Sequence, residues 1–136
     1  MNELLIDVGN SAAKWAIFDG YTLNSNRHSG SFSELAEALW IAAADAGAVW
    51  VASVRGESSD QSLVFELKAV GFSKVHLCAS AKHEDGLLNS YAEPSRMGAD
   101  RWFAMLGARA YKPGPLLVID VGSAVTCDLV ATDGCH

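Results

Sequence analysis

The chain has 136 residues, half of them hydrophobic and 19% charged, with ten Lys+Arg against sixteen Asp+Glu and a formal charge of −6. This is enough apolar material for about one domain with its own core, which excludes a disordered acidic segment. No basic cluster stands out, so a nucleic-acid footprint is not expected; phosphates can still be received by backbone amides and a metal ion.

The opening Met-Asn-Glu-Leu-Leu-Ile-Asp lacks a basic n-region, so no signal peptide is expected. Leu4-Leu5-Ile6 is a short apolar run closed by Asp7-Val8-Gly9-Asn10-Ser11. The run from Ala12 to Phe18 alternates Trp15 and Ile17 with Lys14 and Ala16, and Asp19-Gly20 marks a further turn. A meander of two or three strands to about Ser29 is predicted.

Ser31 and Glu34 form a capping-box pattern, with Leu35, Leu39 and Ala42 or Ala43 at helical spacing and Gly47 suited to the C′ position. Ala48 to Val54 reads as a buried strand. The longest apolar stretch, Ala38 to Val54, is broken by Asp45 and Gly47 and is not a membrane span. Ser58 or Ser59 is predicted to cap a second helix carrying Leu63, Leu67 and Val70 and ended by Gly71. Lys74 to Cys78 is a further strand, and residues 80–97 read as polar and irregular. A third helix is predicted from about Gly98 to Tyr111, broken by Pro113-Gly114-Pro115. Leu116 to Ile119 is a strand, and Ala124 to Ala131 its hairpin partner. This order indicates an α/β fold with a mixed sheet.

Cys78, Cys127 and Cys135 are odd in number and widely spaced, which fits reduced thiols and a cytoplasmic location. His76 with Cys78, or Cys135 with His136, lacks the paired spacing of a zinc site, and a structural role is preferred.

Ile6-Asp7-Val8-Gly9-Asn10-Ser11 and Ile119-Asp120-Val121-Gly122-Ser123-Ala124 match at their first four positions, each between two apolar runs. Duplication of a strand–turn–strand unit follows as an expectation. An Asp at a strand end can hold Mg²⁺ directly or through water. The Gly permits a tight turn and close backbone approach to a phosphate, while Asn10, Ser11 and the turn amides offer donors and Lys14 a charge. A hairpin that only turns the chain is the competing reading. Asp100-Arg101 falls in the first turn of the third helix, where the dipole favours a carboxylate that could accept an alcohol proton. The plainer alternative is a helix-capping Asp100 and a solvated Arg101. Tyr91, Pro94 and Arg96 lie in the loop before it, suited to a pocket wall. Trp102 and Phe103 are explained at least as well by core packing. Thr126 and Asp128 should share one face of the last strand, and Asp120 could bind a cation.

Three blocks together resemble the N-terminal half of a type III pantothenate kinase, of the acetate and sugar kinase/Hsp70/actin superfamily. They are Asp7-Val8-Gly9-Asn10-Ser11-x-x-Lys14-Trp15, then Tyr91-x-x-Pro94-x-x-Met97-Gly98-x-Asp100-Arg101, then Val118-Ile119-Asp120-x-Gly122-Ser123-Ala124-x-Thr126-x-Asp128 with Asp133-Gly134-x-His136. The resemblance implies a ribonuclease H-like/actin-like ATPase domain over 1–113 and, at 114–136, the opening hairpin of a second such domain. It implies ATP-dependent phosphorylation of pantothenate to 4'-phosphopantothenate, the first step of coenzyme A synthesis. Asp7, Gly9, Asn10, Ser11, Lys14 and Ser123 would contact ATP, with Mg²⁺ near Asp7. Tyr91, Gly98, Asp100 and Arg101 would contact pantothenate, Asp100 as general base. Asp120 would bind a monovalent cation, K⁺ or NH₄⁺.

The family pattern has Thr where this chain has Ser123, and commonly Leu or Val where it has Met97. It also continues beyond the position of His136 with a Gly-Gly-x-Ile-x-Pro-Gly segment and a second domain that makes much of a homodimer interface. A fragment with little activity of its own is therefore expected. The rival expectations are a non-enzymatic accessory regulator of the same family and a superfamily kinase with another acceptor.

Overall fold

The computed structural model describes residues 2–136, which divide by packing into two compact units, one ending at Cys78 and the other running from Ala79 to His136. In the first unit, strands β1 (Glu3–Val8), β2 (Ala13–Phe18) and β3 (Leu23–His28) form an antiparallel meander. Helix α1 (Phe32–Ala43), β4 (Ala48–Ser53), α2 (Glu57–Ala69) and β5 (Val75–Cys78) follow, with β4 parallel to β1 and β5 parallel to β4. The result is a mixed five-stranded sheet of order β3-β2-β1-β4-β5 flanked by α1 and α2. Alternation decides which face is buried. Leu4, Ile6 and Val8 of β1 with Val49 and Val51 of β4 meet Leu35 and Leu39 of α1 and Leu63 and Leu67 of α2. Asp7 and Lys14, directly opposite one another, therefore stand on the other face.

The capping box forms as the sequence suggests: Glu34 N donates to Ser31 Oγ at 3.2 Å, and Ser31 N donates to Glu34 Oε2 at 2.8 Å. Two helix boundaries differ from expectation. Gly47 is not a C′ residue, because α1 ends through a right-handed Ala44 and the Gly47 amide instead donates to the Asn2 carbonyl at 2.7 Å. Neither Ser58 nor Ser59 caps α2; Gly56, at φ 88°, is the N-cap, and its carbonyl accepts from Asp60 N. The turn out of β4 needs the left-handed backbone that glycine adopts at no steric cost.

Gly71 does end α2. Its amide donates to the Lys68 carbonyl and that of Phe72 to the Leu67 carbonyl, both at 3.1 Å, which is the Schellman pattern. Gly71 sits at φ +119°, and a Cβ there would lie 2.8 Å from the Trp40 ring. Gly71→Ala is expected to cost at least about 1–2 kcal/mol from backbone strain alone. Urea unfolding checks this, and an unchanged midpoint would contradict it.

The second unit opens with a small hairpin, β6 (His83–Glu84) and β7 (Leu87–Leu88), where the sequence read as irregular. Asp85 and Gly86 both have positive φ, 46° and 76°, the two-residue Asp-Gly turn that closes such hairpins. A 3-10 turn at Pro94–Arg96 leads into α3 (Ala99–Tyr111), which packs against β8 (Leu116–Val121) and β9 (Val125–Val130). Leu87, Met97, Trp102, Met105 and Val130 form its core, so Met97 and Trp102 are packing residues. The sequence division at 113/114 follows the Pro113-Gly114-Pro115 break and the resemblance, a different criterion from packing, under which α3 and the β8–β9 hairpin fall together.

Among the described residues, no helix is long and apolar enough to cross a membrane.

Candidate functional site

In the first unit the candidate residues gather at one hairpin end. Asp7 is the penultimate residue of β1, half-exposed, with Lys14 Nζ 3.7 Å from its Oδ2. Arg27 lies next in line, opposite Lys14 on β3, so the carboxylate borders a short cationic row. Gly9 N donates to the Ala12 carbonyl at 3.0 Å and closes the turn that carries the exposed Asn10 and Ser11. A Cβ on Gly9 would lie 3.3 Å from that same carbonyl, so the turn has little room for a larger residue.

The sequence reading missed Arg55. Its Nε donates to the Gly9 carbonyl at 2.7 Å and its Nη2 to the Asn10 carbonyl at 3.2 Å. The guanidinium also lies over the Phe32 ring, 5.4 Å from the centroid. Position was the available signal: Arg55 leaves the end of β4, the parallel neighbour of β1, and the strand ends of such a pair lie side by side.

In the second unit Tyr91 and Arg101 come together, and both join a buried polar network. The Arg101 guanidinium binds Asp128 through both carboxylate oxygens, and its Nη1 donates to the Tyr91 hydroxyl at 2.9 Å. His136 Nε2 lies 3.0 Å from Asp128 Oδ1, and its Nδ1 lies 3.1 Å from Ser90 Oγ. The Asp128 side chain is 1% exposed and that of Arg101 23%, so Arg101 is not a solvated surface cation. Hydrogen bonding from Arg101 holds the Asp128 carboxyl below the usual carboxylate range. Burial opposes that effect and His136 adds to it. The same pairing raises the Arg101 pKa further, so its charge is permanent. The sequence placed Asp128 on the correct face but gave no sign of its partner, because the contact joins positions 27 residues apart.

Asp100 lies in the first turn of α3, after the N-cap Gly98. Gly98 offers no side chain to cap the helix, and Asp100 Oδ1 accepts from the Arg101 amide, one of the first-turn donors, at 2.8 Å. The two neighbours thus diverge: Arg101 is tied into the network, while the half-buried Asp100 carboxylate is engaged by the first-turn amide of Arg101. A cleft of about 400 Å³ lined by Tyr91, Ala92, Glu93 and Arg96 opens beside this network.

The second aspartate hairpin repeats the strand–turn–strand arrangement of the first with a tighter turn. Asp120 is the penultimate residue of β8, as Asp7 is of β1, but the turn is one residue shorter: Gly122 N donates to the Ala124 carbonyl two residues on at 2.9 Å, where Gly9 N donates to that of Ala12 three residues on. Ser123 is exposed in the turn. Thr126 stands opposite Asp120, and its buried Oγ1 has no hydrogen-bond partner among the described residues.

By architecture this is an α/β protein with two aspartate-tipped hairpins and a buried arginine–carboxylate network. A family model described as type III pantothenate kinase matches residues 3–136. The type III pantothenate kinase of Alcanivorax borkumensis is 35% identical over 135 residues, covering 96% of this chain and 54% of the relative. That of Thiobacillus denitrificans is 37% identical over 133 residues, covering 97% and 53%. That of Xanthomonas oryzae pv. oryzae is 36% identical over 137 residues, covering 100% and 55%. The chain belongs to the type III pantothenate kinase family. It spans about half the length of the curated relatives it matches.

Proposed function

We propose that the protein takes part in transferring the γ-phosphoryl group of ATP to the terminal hydroxyl of pantothenate, giving 4'-phosphopantothenate at the start of coenzyme A synthesis. The observation that carries this reading is the family match, which runs through every candidate residue. In this reading the turn after β1 receives the nucleotide phosphates. Gly9, Asn10 and Ser11 supply backbone and side-chain donors, and Lys14 supplies charge. Asp7 is a single half-exposed carboxylate beside that turn, and no group of three or more His, Cys, Asp or Glu that could hold a metal occurs among the described residues. One carboxylate combined with substrate phosphates is a donor set that suits Mg²⁺, which when bound neutralises charge on the phosphates. Asp120 with the unpartnered Thr126 hydroxyl offers oxygen donors of the kind a monovalent cation takes.

Tyr91, Gly98 and Arg101 line the acceptor side. Arg101 is already neutralised by Asp128, so it offers directed hydrogen bonds more than net attraction. Asp100 accepts the proton of the acceptor hydroxyl as the bond to phosphorus forms. Most of the rate comes from positioning and charge stabilisation.

Residues 1–113 are read as a first ribonuclease H-like/actin-like domain, and 114–136 as the opening hairpin of a second. The aligned repeats support this. Ile6 and Val8 are 3% and 0% exposed, whereas their equivalents Ile119 and Val121 are 57% and 74% exposed. Leu117, Val125 and Leu129 extend that apolar face. Such a face requires cover from elements like those over β1. Homodimerisation and a cytoplasmic location belong to the same reading.

The test is an assay of a protein of the relatives' full length with ATP and a panel of acceptor alcohols. Selective formation of 4'-phosphopantothenate is the expected outcome. Preference for another acceptor would redirect the assignment within the superfamily, and folded protein with no transfer would favour an accessory role. The 136 residues alone, about half the length of the relatives, are expected to turn over little. Robust product from the purified chain would contradict that.

A further inference from the structure

We propose that Arg55 is the positioning residue of the phosphate turn: by clamping its carbonyls, it turns the Asn10 and Ser11 amides outward as an anion-receiving pair. The inference rests on the proposed role of that turn.

The geometry begins with the trans peptide, in which C=O and N–H point in opposite directions. The Gly9 carbonyl belongs to the same peptide unit as the Asn10 amide, and the Asn10 carbonyl to that of Ser11. Arg55 holds both carbonyls on its own side, with Nε at 2.7 Å and Nη2 at 3.2 Å. Both amides must then face away from the guanidinium, toward the solvent side where Asn10 and Ser11 are exposed. Consecutive amides on one side of a turn form the concave donor array that binds anions.

The clamp is itself anchored. Arg55 lies two residues beyond the end of β4, and the intervening Val54 is tied to β1 by its amide donating to the Val8 carbonyl at 3.1 Å. The guanidinium rests over Phe32, the first residue of α1. A planar fork fits two successive carbonyls, and a lysine ammonium does not. Arg55 also places a permanent positive charge behind the turn, which further favours an anion in front of it.

The test uses this chain, with MgATP and inorganic tripolyphosphate as probes, followed through the backbone amide resonances. In the wild type the Asn10 and Ser11 amides are expected to titrate. Arg55→Ala should weaken that titration about 10- to 100-fold, as expected for losing charge-assisted hydrogen bonds. Arg55→Lys keeps the charge without the fork and should recover only part of the affinity. Millimolar guanidinium should partly restore Arg55→Ala, an effect that a purely structural role would not produce. Equal affinity in wild type and Arg55→Ala overturns the inference while leaving the phosphate turn intact. Absence of any titration at residues 9–11 in the wild type overturns both. If Arg55→Ala fails to fold, Arg55→Lys decides: wild-type affinity there overturns the clamp.

Discussion

Asp100→Asn, in a protein of the relatives' full length, is expected to lower turnover by about 10²–10⁴-fold, the usual contribution of a positioned general base. The corresponding barrier increase is about 3–5 kcal/mol. The substitution keeps the shape of the side chain and one acceptor oxygen, so the hydrogen bond from the Arg101 amide can persist. What it removes is the capacity to take a proton. The Michaelis constant for ATP should therefore change little, while turnover falls at every acceptor concentration. Steady-state kinetics with both substrates varied checks this. Near-normal turnover would take Asp100 out of the chemistry and leave it as a first-turn acid beside the helix dipole.

Asp128→Ala is expected to destabilise the protein by about 3–5 kcal/mol, because it strands the Arg101 guanidinium without its buried partner. The carboxylate accepts from Arg101 through both oxygens and is also bonded to His136, so its removal leaves two groups to be satisfied. Arg101→Met combined with Asp128→Ala should recover part of the loss, since replacing both ends of a buried pair is far less costly than breaking it. Urea unfolding of the two single variants and the double variant measures this. Additive losses would show that the pair is not coupled. The same contact sets a pH dependence. The Asp128 pKa is lower folded than unfolded, so its stabilisation is complete above the unfolded value near 4 and is lost as pH falls through the folded value. Stability of wild type should fall in that acidic window more steeply than stability of the double variant.

Local chemistry was legible in the sequence. Ser31 and Glu34 announced the start of α1, Gly71 the end of α2, and the apolar run Leu4-Leu5-Ile6 with the alternation from Ala12 to Phe18 the first hairpin. Each of these is decided by neighbours within a few residues. Asp85-Gly86 is a hairpin signal, but its flanking strands are two residues each, too short to show alternation. The candidate site divided in the same manner. Asp7, Gly9 and Lys14 belong to one turn and could be grouped by spacing. The Asp128 partnership with Arg101 and the Arg55 grip on Gly9 and Asn10 span 27, 46 and 45 positions, and no periodicity encodes them. The apolar outer face of the last hairpin shows the limit from the other side. Its residues follow the pattern of buried strands, and it is their exposure, not their identity, that distinguishes them from β1.

Central to the proposed function is one transfer, of the γ-phosphoryl group of ATP to the hydroxyl of pantothenate. Following γ-labelled ATP in a protein of the relatives' full length, with pantothenate as sole acceptor, tests it most directly. Label is predicted in 4'-phosphopantothenate with wild type and nearly absent with Asp100→Asn. Label that stays in ATP, or leaves only as inorganic phosphate while pantothenate remains unmodified, would contradict the account.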